Sequence, residues 1–468
     1  MVRFRAVKNP RMKEEVGLTP TTSGTVFGLS RRTALLLAIL IALFAVVAVA
    51  YTATYGKHFA KPGGDGVAYE RSAVQLLQKG IYGYKSPVPN AYMSPGYPLF
   101  LAAIYKATGH VWSGRPRTVL CLIQILIACT TILALFLIGR RLFNERIGLI
   151  AALLFVLYPP MIVATNLWLT ETLATATLAW FVYVSIVAMD GEDWKPWVLS
   201  GVLLGVTVLI RPGVLPIAIA PFVVRFFWGS RKGLLKAVVV TVLAFAVVMA
   251  PWGIRNQIVL HNTYLLSSHS GDPILAGVDP YYYELGQTKY TFHGPSYETW
   301  QTTHPPYTKN EYATRAIEAE LKSKPLQTVW WFTAGKTVRM YSVNWLAETG
   351  PIGSWTTAVR MFVVVLGWLG VAYAVRERRL RVLALVLVLG SLALLTVSPE
   401  PRYAFSWIAF LTVPAAVVLM RVFGGPDALD GASPSGPGNP GAPDAGRTDP
   451  DAPSLAPAEQ AAEPVAVV

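Results

Sequence analysis

Ten long apolar runs recur along the chain, and they constrain its fold more than any other feature. Each is close to the roughly 20 residues that an α-helix needs to cross the hydrocarbon core of a bilayer. Only 14% of the residues are charged, whereas soluble proteins carry about 25%. The sequence therefore predicts an all-α membrane protein with about ten transmembrane helices. The predicted spans are residues 33–53, 117–138, 147–165, 170–189, 197–211, 213–228, 237–254, 359–375, 380–397 and 404–422.

Basic residues are concentrated in the short segments on one side of these predicted spans. They are Arg31 and Arg32, followed by RRLFNER, RFFWGSRKGLLK and RERRLR. Because short cytoplasmic loops are enriched in Lys and Arg, we expect both termini to lie in the cytoplasm. The acidic loop DGEDWKP is the exception on that side. The formal charge of +14 therefore reflects membrane orientation and does not indicate a nucleic-acid partner.

Composition divides the chain into three parts. Residues 1–32 form a basic cytoplasmic segment, and residues 33–423 form the transmembrane domain. Residues 424–468 are rich in Pro, Gly, Ala and Asp, so we expect a disordered cytoplasmic tail. The first span follows a long polar lead, which favours an uncleaved membrane anchor over a signal peptide.

Two segments on the outer side, 54–116 and 255–358, are too long to be simple connections. The first contains NAYMSPGYPLFLAAIYKATGH, which is typical of a helix lying at the membrane interface. In the second, Thr308 and Glu311 fit a capping box that opens a helix ending before Pro325. TVWWFTAGKTVRMY, which follows, predicts a second interfacial helix.

Ionisable residues border the apolar runs, and the predicted topology gathers six of them on the outer side at similar depth. They are Asp65, Glu171, Arg211, Arg255, Glu400 and Arg402. Each has a simpler interpretation by itself, such as a helix cap, a first-turn acid, a snorkelling arginine or a local ion pair. Ionisable groups within or beside membrane segments are costly and usually mark a functional site. We therefore predict that the six share one charged site.

Five segments together resemble polytopic GT-C glycosyltransferases across residues 33–423. They are GDGVAYERSAVQLLQKGIYGY with SPGYPLFLAAIYKATG, then YPPMIVATNLWLTETL, LIRPGVLPI, APWGIRN and PEPRYAF. The resemblance is to the bacterial branch similar to protein O-mannosyltransferases, aminoarabinose transferases and lipopolysaccharide-core galacturonosyltransferases. One departure is that Asp65 is followed by Gly66, where many members have two adjacent acids.

The resemblance implies transfer of a sugar from a polyprenyl phosphate to an envelope lipid, glycan or protein at the outer face of the plasma membrane. It also implies inversion of the anomeric centre, with Asp65 as general base and Glu171 as a second catalytic carboxylate. The leaving phosphate needs fixed positive charge. The residues expected to bind it are Arg211, Arg255, Arg402 and Lys336. The residues expected to support the site are Tyr69, Asn256, Glu400 and Tyr403.

Metal dependence and the kind of activity stay open at this stage. Some members of the class use a divalent cation such as Mg²⁺ or Mn²⁺ and others do not, and the six histidines show no metal-ligand spacing. One alternative function is a secondary transporter or flippase for lipid-linked sugars. Another is a non-catalytic scaffold in envelope assembly. The charges at the ends of the spans, and the absence of a convincing internal repeat, favour the transferase.

Overall fold

The computed structural model describes residues 25–26, 28–56, 63–84, 87–109, 114–262, 264–267, 274, 277–278, 309–342 and 353–429. A two-residue antiparallel hairpin, β1 (Thr25–Val26) with β2 (Leu29–Ser30), precedes a helical bundle. The helices in the first half are α1 (Arg31–Tyr55), α2 (Asp65–Lys79), α3 (Gly96–Thr108), α4 (Gly114–Leu142), α5 (Glu145–Val156), α6 (Pro160–Ala164), α7 (Glu171–Asp190) and α8 (Lys195–Ile210). Those in the second half are α9 (Ala220–Trp228), α10 (Leu234–Leu260), α11 (Lys309–Ser323), α12 (Pro325–Trp330), α13 (Lys336–Ser342), α14 (Gly353–Tyr373), α15 (Arg381–Leu395) and α16 (Phe405–Phe423).

The predicted all-α membrane fold is confirmed, but the predicted number of spans is not. Among the described residues, six helices are long and apolar enough to cross a membrane, namely α1, α4, α7, α10, α14 and α16. The other four predicted spans are helical but shorter or interrupted. The third is interrupted between α5 and α6 at Pro159 and Pro160, because proline removes a backbone donor and clashes with the preceding turn.

Helix α8 ends where the sequence places a proline. Arg211 precedes Pro212 and has an extended backbone, with φ −143° and ψ 93°. A residue before proline is disfavoured in the helical conformation, so α8 ends at Ile210. The chain continues as a 3₁₀ segment, Pro212–Ile219, before α9 begins. The arginine is therefore held at a fixed break between two apolar helices.

Helix α16 lies at the centre of the bundle, while α1 and α10 lie at its periphery. Almost every residue in the first two-thirds of α16 is buried, and it packs along α14, α5 and α7. Gly367 and Gly370 on α14 allow the close approach, since a Cβ atom on Gly370 would lie 2.6 Å from the Cβ atom of Pro414. The exposed Leu, Val and Ile side chains of α10 form an apolar surface suited to lipid.

The outer segments contain short helices that pack against the bundle. Helix α2 begins after Gly64 and ends at Gly80, and both glycines have positive φ, 51° and 66°. It packs on α3. In the second, α11 ends at Ser323 as predicted, but the proposed cap Thr308 lies outside the described residues. The predicted interfacial helix is present as α12 and α13, joined by a π turn over Trp331–Gly335.

Candidate active site

Asp65, Arg402 and Glu400 form a continuous ion-paired group. Asp65 is the first residue of α2, and its side chain is 44% exposed. Its Oδ2 atom lies 2.5 Å from Nη2 of Arg402, which lies in the 3₁₀ turn Pro401–Ala404 before α16. The Nε of the same guanidinium donates to the Glu400 carboxylate. Arg402 therefore links the first outer segment to the 3₁₀ turn that precedes α16.

Glu171 and Arg211 form a second, looser pair. Glu171 is the first residue of α7, and its side chain is only 3% exposed. Nη1 of Arg211 lies 3.6 Å from Oε1 of Glu171, which is beyond a normal hydrogen bond. Among the described residues, neither Nη1 of Arg211 nor Oε2 of Glu171 has a hydrogen-bond partner, although both atoms are buried. The pair attracts electrostatically but leaves a donor and an acceptor unsatisfied.

The Tyr403 ring connects the two ion-paired groups. The guanidinium carbons of Arg211 and Arg402 each lie 5.3 Å from the centroid of this ring. This distance is within the range of a cation–π interaction. Two positive charges are thus held on one aromatic side chain, with a carboxylate close to each of them.

Tyr69 forms an aromatic wall beside these charges. Its ring meets that of Tyr97 edge to face, with centroids 5.2 Å apart. Burial, reinforced by the nearby Asp65 carboxylate, raises the pKa of Tyr69 above its ordinary value. The phenol therefore keeps its proton at neutral pH and can donate a hydrogen bond. The Tyr97 hydroxyl in turn donates to Oε1 of Gln124 on α4, at 3.3 Å.

A close backbone contact sets the position of Arg211. A Cβ atom on Gly96, at the start of α3, would lie 2.7 Å from the backbone nitrogen of Ile210. The SPGYP segment can therefore lie directly against the end of α8. This contact ties the first outer segment to the residue that precedes Arg211.

The structure does not bring Arg255 and Asn256 to this cluster. Arg255 donates through Nη1 to the Asn90 carbonyl and the Asn256 side chain, and through Nη2 to the Tyr82 carbonyl. Asn256 donates to the Tyr264 carbonyl. The predicted phosphate-binding arginine thus has both terminal nitrogens engaged in holding the first outer segment against α10.

Lys336 also has a different place from the one predicted. Its side chain is completely buried, and Nζ donates to the carbonyls of Leu395 and Val397, at 2.8 and 3.0 Å. Nζ also lies 3.8 Å from the centroid of the Phe332 ring. Burial lowers the pKa of Lys336 to about 7. The residue caps the end of α15 at Leu395, five residues before Glu400.

Of the ten residues predicted from the sequence, the structure brings seven together. They are Asp65, Tyr69, Glu171, Arg211, Glu400, Arg402 and Tyr403. Sequence reasoning did not single out Tyr97 or the close contact of Gly96. The SPGYP segment contains both residues, and its Pro95-Gly96 dipeptide is a recognisable turn signal.

The described residues do not form a donor set for a divalent cation. Among them, no group of three or more His, Cys, Asp or Glu side chains lies close enough to hold a metal ion. The two carboxylates nearest to a common point, those of Asp65 and Glu400, both contact the guanidinium of Arg402.

Comparison with known proteins places the fold. The family profile described as dolichyl-phosphate-mannose-protein mannosyltransferase matches residues 94–254, which include Glu171 and Arg211. The archaeal oligosaccharyltransferase AglB from Archaeoglobus fulgidus, solved with an inhibitory peptide and a dolichol-phosphate, matches with a TM-score of 0.51 at 14% identity. The match covers 84% of this chain and 50% of the archaeal one, so the chain spans about half the length of that protein.

Two further solved structures match. The Archaeoglobus fulgidus oligosaccharyltransferase in complex with Zn and sulfate has a TM-score of 0.50 at 15% identity, covering 83% of this chain and 49% of that one. ArnT from Cupriavidus metallidurans, bound to undecaprenyl phosphate, has a TM-score of 0.37 at 14% identity, covering 82% and 77%. No curated protein sequence matches the chain. The profile and the archaeal fold confirm the resemblance to GT-C glycosyltransferases that the sequence motifs predicted.

Proposed function

We propose that this protein is a membrane glycosyltransferase that moves a sugar from a polyprenyl-phosphate donor to an envelope acceptor. The observation that carries the proposal is the convergence of five charged side chains from widely separated segments. Asp65, Glu171, Arg211, Glu400 and Arg402 meet around the ring of Tyr403. A lipid-phosphate donor is supported by the dolichol-phosphate bound to the archaeal oligosaccharyltransferase of the same fold.

Asp65 is the best candidate for the general base. It is the most exposed of the three carboxylates, so it is the one that an incoming acceptor can reach. In the proposed reaction, Asp65 accepts the proton of the acceptor hydroxyl or amine while the acceptor atom bonds to the anomeric carbon. The bond between that carbon and the phosphate oxygen breaks on the opposite face, so the configuration inverts.

Arg402 and Arg211 are the candidates for binding the leaving phosphate. The polyprenyl phosphate departs with the bonding electrons, and its new charge needs donors already in place. Two guanidinium groups held on one ring offer several N–H donors for phosphate oxygens. Arg402 also orients Asp65, so donor binding and base positioning share one residue.

We also propose that the site faces outward and that both termini are cytoplasmic, with the protein in the plasma membrane. The support is the distribution of basic residues in the short loops. The acceptor class, whether lipid, glycan or protein, is left to experiment.

The test is mass spectrometry of polyprenyl-phosphate sugars in native cells that produce the wild-type protein, Asp65→Asn or Asp193→Asn at equal levels. Asp193 is an exposed acid in the turn before α8 and serves as the matched control. We expect one sugar donor to accumulate only with Asp65→Asn, since loss of a general base lowers turnover by about 10²–10⁴-fold. The accumulated mass would identify the sugar class.

A different result would favour one of the alternatives. If the lipid profiles of all three strains match while Asp65→Asn rescues the deletion phenotype, the assignment of Asp65 as base is wrong. A lipid-linked sugar transporter or a non-catalytic scaffold would then explain the protein better.

A further inference from the structure

The pair formed by Glu171 and Arg211 is incomplete in a specific way. Its nearest atoms, Nη1 and Oε1, are 3.6 Å apart. Oε2 of Glu171 is a buried acceptor and Nη1 of Arg211 a buried donor, and neither has a partner among the described residues. Leaving a buried polar atom unsatisfied costs about 1–3 kcal/mol. Two such atoms on neighbouring side chains indicate a binding position.

The arginine cannot easily move toward the carboxylate to close the pair. Its backbone amide donates to the Thr207 carbonyl at 2.7 Å, and Pro212 restricts the backbone on the other side. Its guanidinium is also held over the Tyr403 ring. Glu171 is fixed as the first residue of α7, so the separation is built into the two helix ends.

A hydroxyl is a group that satisfies both atoms. A hydroxyl donates one hydrogen bond and accepts others, so a single hydroxyl can donate to Oε2 of Glu171 and accept from Nη1 of Arg211. A carboxylate only accepts and would be repelled by Glu171. An ammonium only donates and would be repelled by Arg211. The pair therefore distinguishes a neutral polar group from a charged one.

The position of the pair makes the transferred sugar the natural source of that hydroxyl. Arg211 shares the ring of Tyr403 with Arg402, and Arg402 contacts Asp65. A group bound by Glu171 and Arg211 therefore lies beside the proposed base and phosphate-binding residues.

We infer that Glu171 and Arg211 form a subsite for one hydroxyl of the transferred sugar, and that the donor sugar is neutral rather than a uronic acid or an amino sugar at that position. The inference rests on the proposed function. Glu171 is then a specificity-determining residue that binds the sugar, and the buried carboxylate needs no metal ion or proton-transfer role.

The experiment measures binding of synthetic lipids to the purified full-length protein in lipid nanodiscs. The probes are polyprenyl phosphate alone and polyprenyl phosphate linked to glucose, to each monodeoxyglucose, to glucuronic acid or to glucosamine. We expect binding at least tenfold weaker than that of the glucose lipid only for a charged lipid whose carboxylate or ammonium group stands in place of the hydroxyl bound by Glu171 and Arg211. The monodeoxy lipid that lacks the bound hydroxyl should bind about tenfold more weakly than the glucose lipid, because Oε2 of Glu171 and Nη1 of Arg211 then stay unpaired.

The variants are Glu171→Gln and the matched control Glu318→Gln, which changes an exposed residue of α11. Where glucuronic acid is the disfavoured lipid, Glu171→Gln should reduce the ratio between the glucose and glucuronic acid affinities by about tenfold, since the amide no longer repels a carboxylate. It should also reduce the penalty for the sensitive monodeoxy lipid. Glu318→Gln should keep the wild-type ratios. The affinities of two lipids are compared within the same variant, because a loss of folded protein lowers both affinities equally and cancels from their ratio.

Each remaining outcome contradicts a different statement. If the wild-type protein binds all sugar lipids with equal affinity, the hydroxyl subsite is wrong while the lipid-donor function stands. If the selectivity is present but unchanged in Glu171→Gln, the residue assignment is wrong. If neither polyprenyl phosphate nor any sugar lipid binds, the proposed function fails, and the inference fails with it.

Discussion

A single aromatic side chain, Tyr403, holds the two positive charges of the candidate site. Each guanidinium carbon lies 5.3 Å from its ring centroid, and an attraction of this kind contributes about 0.5–2 kcal/mol. The ring matters more than the phenol, because the arginines contact the π face. The positions of the two guanidinium groups should therefore depend on the ring and not on the hydroxyl group.

Tyr403→Leu should weaken binding of polyprenyl phosphate by about tenfold, whereas Tyr403→Phe should stay within about twofold of the wild type. Binding to the nanodisc-embedded protein, measured as above with the plain lipid phosphate, is the readout. Equal losses in the two variants would show that the hydroxyl group, rather than the ring, positions the arginines.

Residue identity could be predicted from the sequence more reliably than residue position. The topology argument grouped Asp65, Glu171, Arg211, Glu400 and Arg402 because each lies at the same end of a predicted span. The same argument included Arg255, which instead donates to the Asn90 and Tyr82 carbonyls. A one-dimensional pattern gives the depth of a side chain but not its direction around the helix axis. The pattern also does not show which backbone carbonyls lack a hydrogen-bond donor.

At the scale of elements, helix ends set the geometry of the site. Asp65 and Glu171 begin helices, Arg211 follows the end of α8, and Arg402 lies in the turn before α16. The break at Arg211-Pro212 followed from proline chemistry and was predictable. The division of the third predicted span at Pro159 follows from the same chemistry. An average over an apolar window does not show such a break, and for this reason the third predicted span was drawn as one continuous helix.

The end of α15 depends on Lys336, and this gives a prediction about pH. Burial lowers the pKa of Lys336 from its ordinary 10.5 to about 7. Between these values the unfolded state binds a proton that the folded state lacks, so the free energy of unfolding rises with pH by ~1.4 kcal/mol per pH unit. Below pH 7 both states are protonated and the contribution is constant. A neutral amine still has two N–H groups for the carbonyls of Leu395 and Val397.

Relative to Lys336→Met, the wild-type protein should therefore gain thermal stability as the pH rises from about 7 to about 10, with no relative change below 7. Unfolding midpoints of detergent-purified protein, followed by tryptophan fluorescence, measure this difference. Lys322→Met changes an exposed lysine of α11 and should show no such slope. A pH-independent difference for Lys336→Met would mean that the lysine is solvated rather than buried.

The packing of α14 on α16 gives a second prediction at this scale. Helix propensity alone predicts that Gly370→Ala stabilises α14 by about 1 kcal/mol. The new Cβ atom would, however, lie 2.6 Å from the Cβ of Pro414, and overpacking costs about 1–3 kcal/mol. We expect the steric cost to dominate and the unfolding midpoint to fall. Gly191→Ala, whose Cβ would meet only the Asp193 nitrogen at 3.8 Å, is the control. A midpoint above that of the wild type would contradict the close contact.

For the whole molecule, the orientation in the membrane is the main quantity that packing does not determine. The bundle has the same internal contacts whichever end faces the cytoplasm, so the basic loops are the only indicator. Replacing the chain's two cysteines, Cys121 and Cys129, by Ser allows single cysteines to be placed at exposed positions. Gly63→Cys precedes the site, and Glu192→Cys lies in the turn between α7 and α8.

In intact cells, a membrane-impermeant maleimide should label Gly63→Cys, while Glu192→Cys should react only after the membrane is opened. This result follows if the site faces outward. The reverse pattern would place the charged cluster at the cytoplasmic surface and would exclude an extracellular acceptor. Labelling of both positions in intact cells would contradict the assignment of the first half of the bundle to a membrane-spanning unit.

The ion pair between Asp65 and Arg402 joins residues that are 337 positions apart in the chain. During synthesis the amino-terminal carboxylates reach the membrane long before the arginine and Tyr403 have been translated. A nascent chain that ends before residue 400 therefore contains the Asp65 carboxylate without its orienting guanidinium, and only one of the two arginines that contact Tyr403. The charged cluster is complete only after the segment that carries Arg402 has been made, so a chain clipped before that point lacks the ion pair that fixes Asp65.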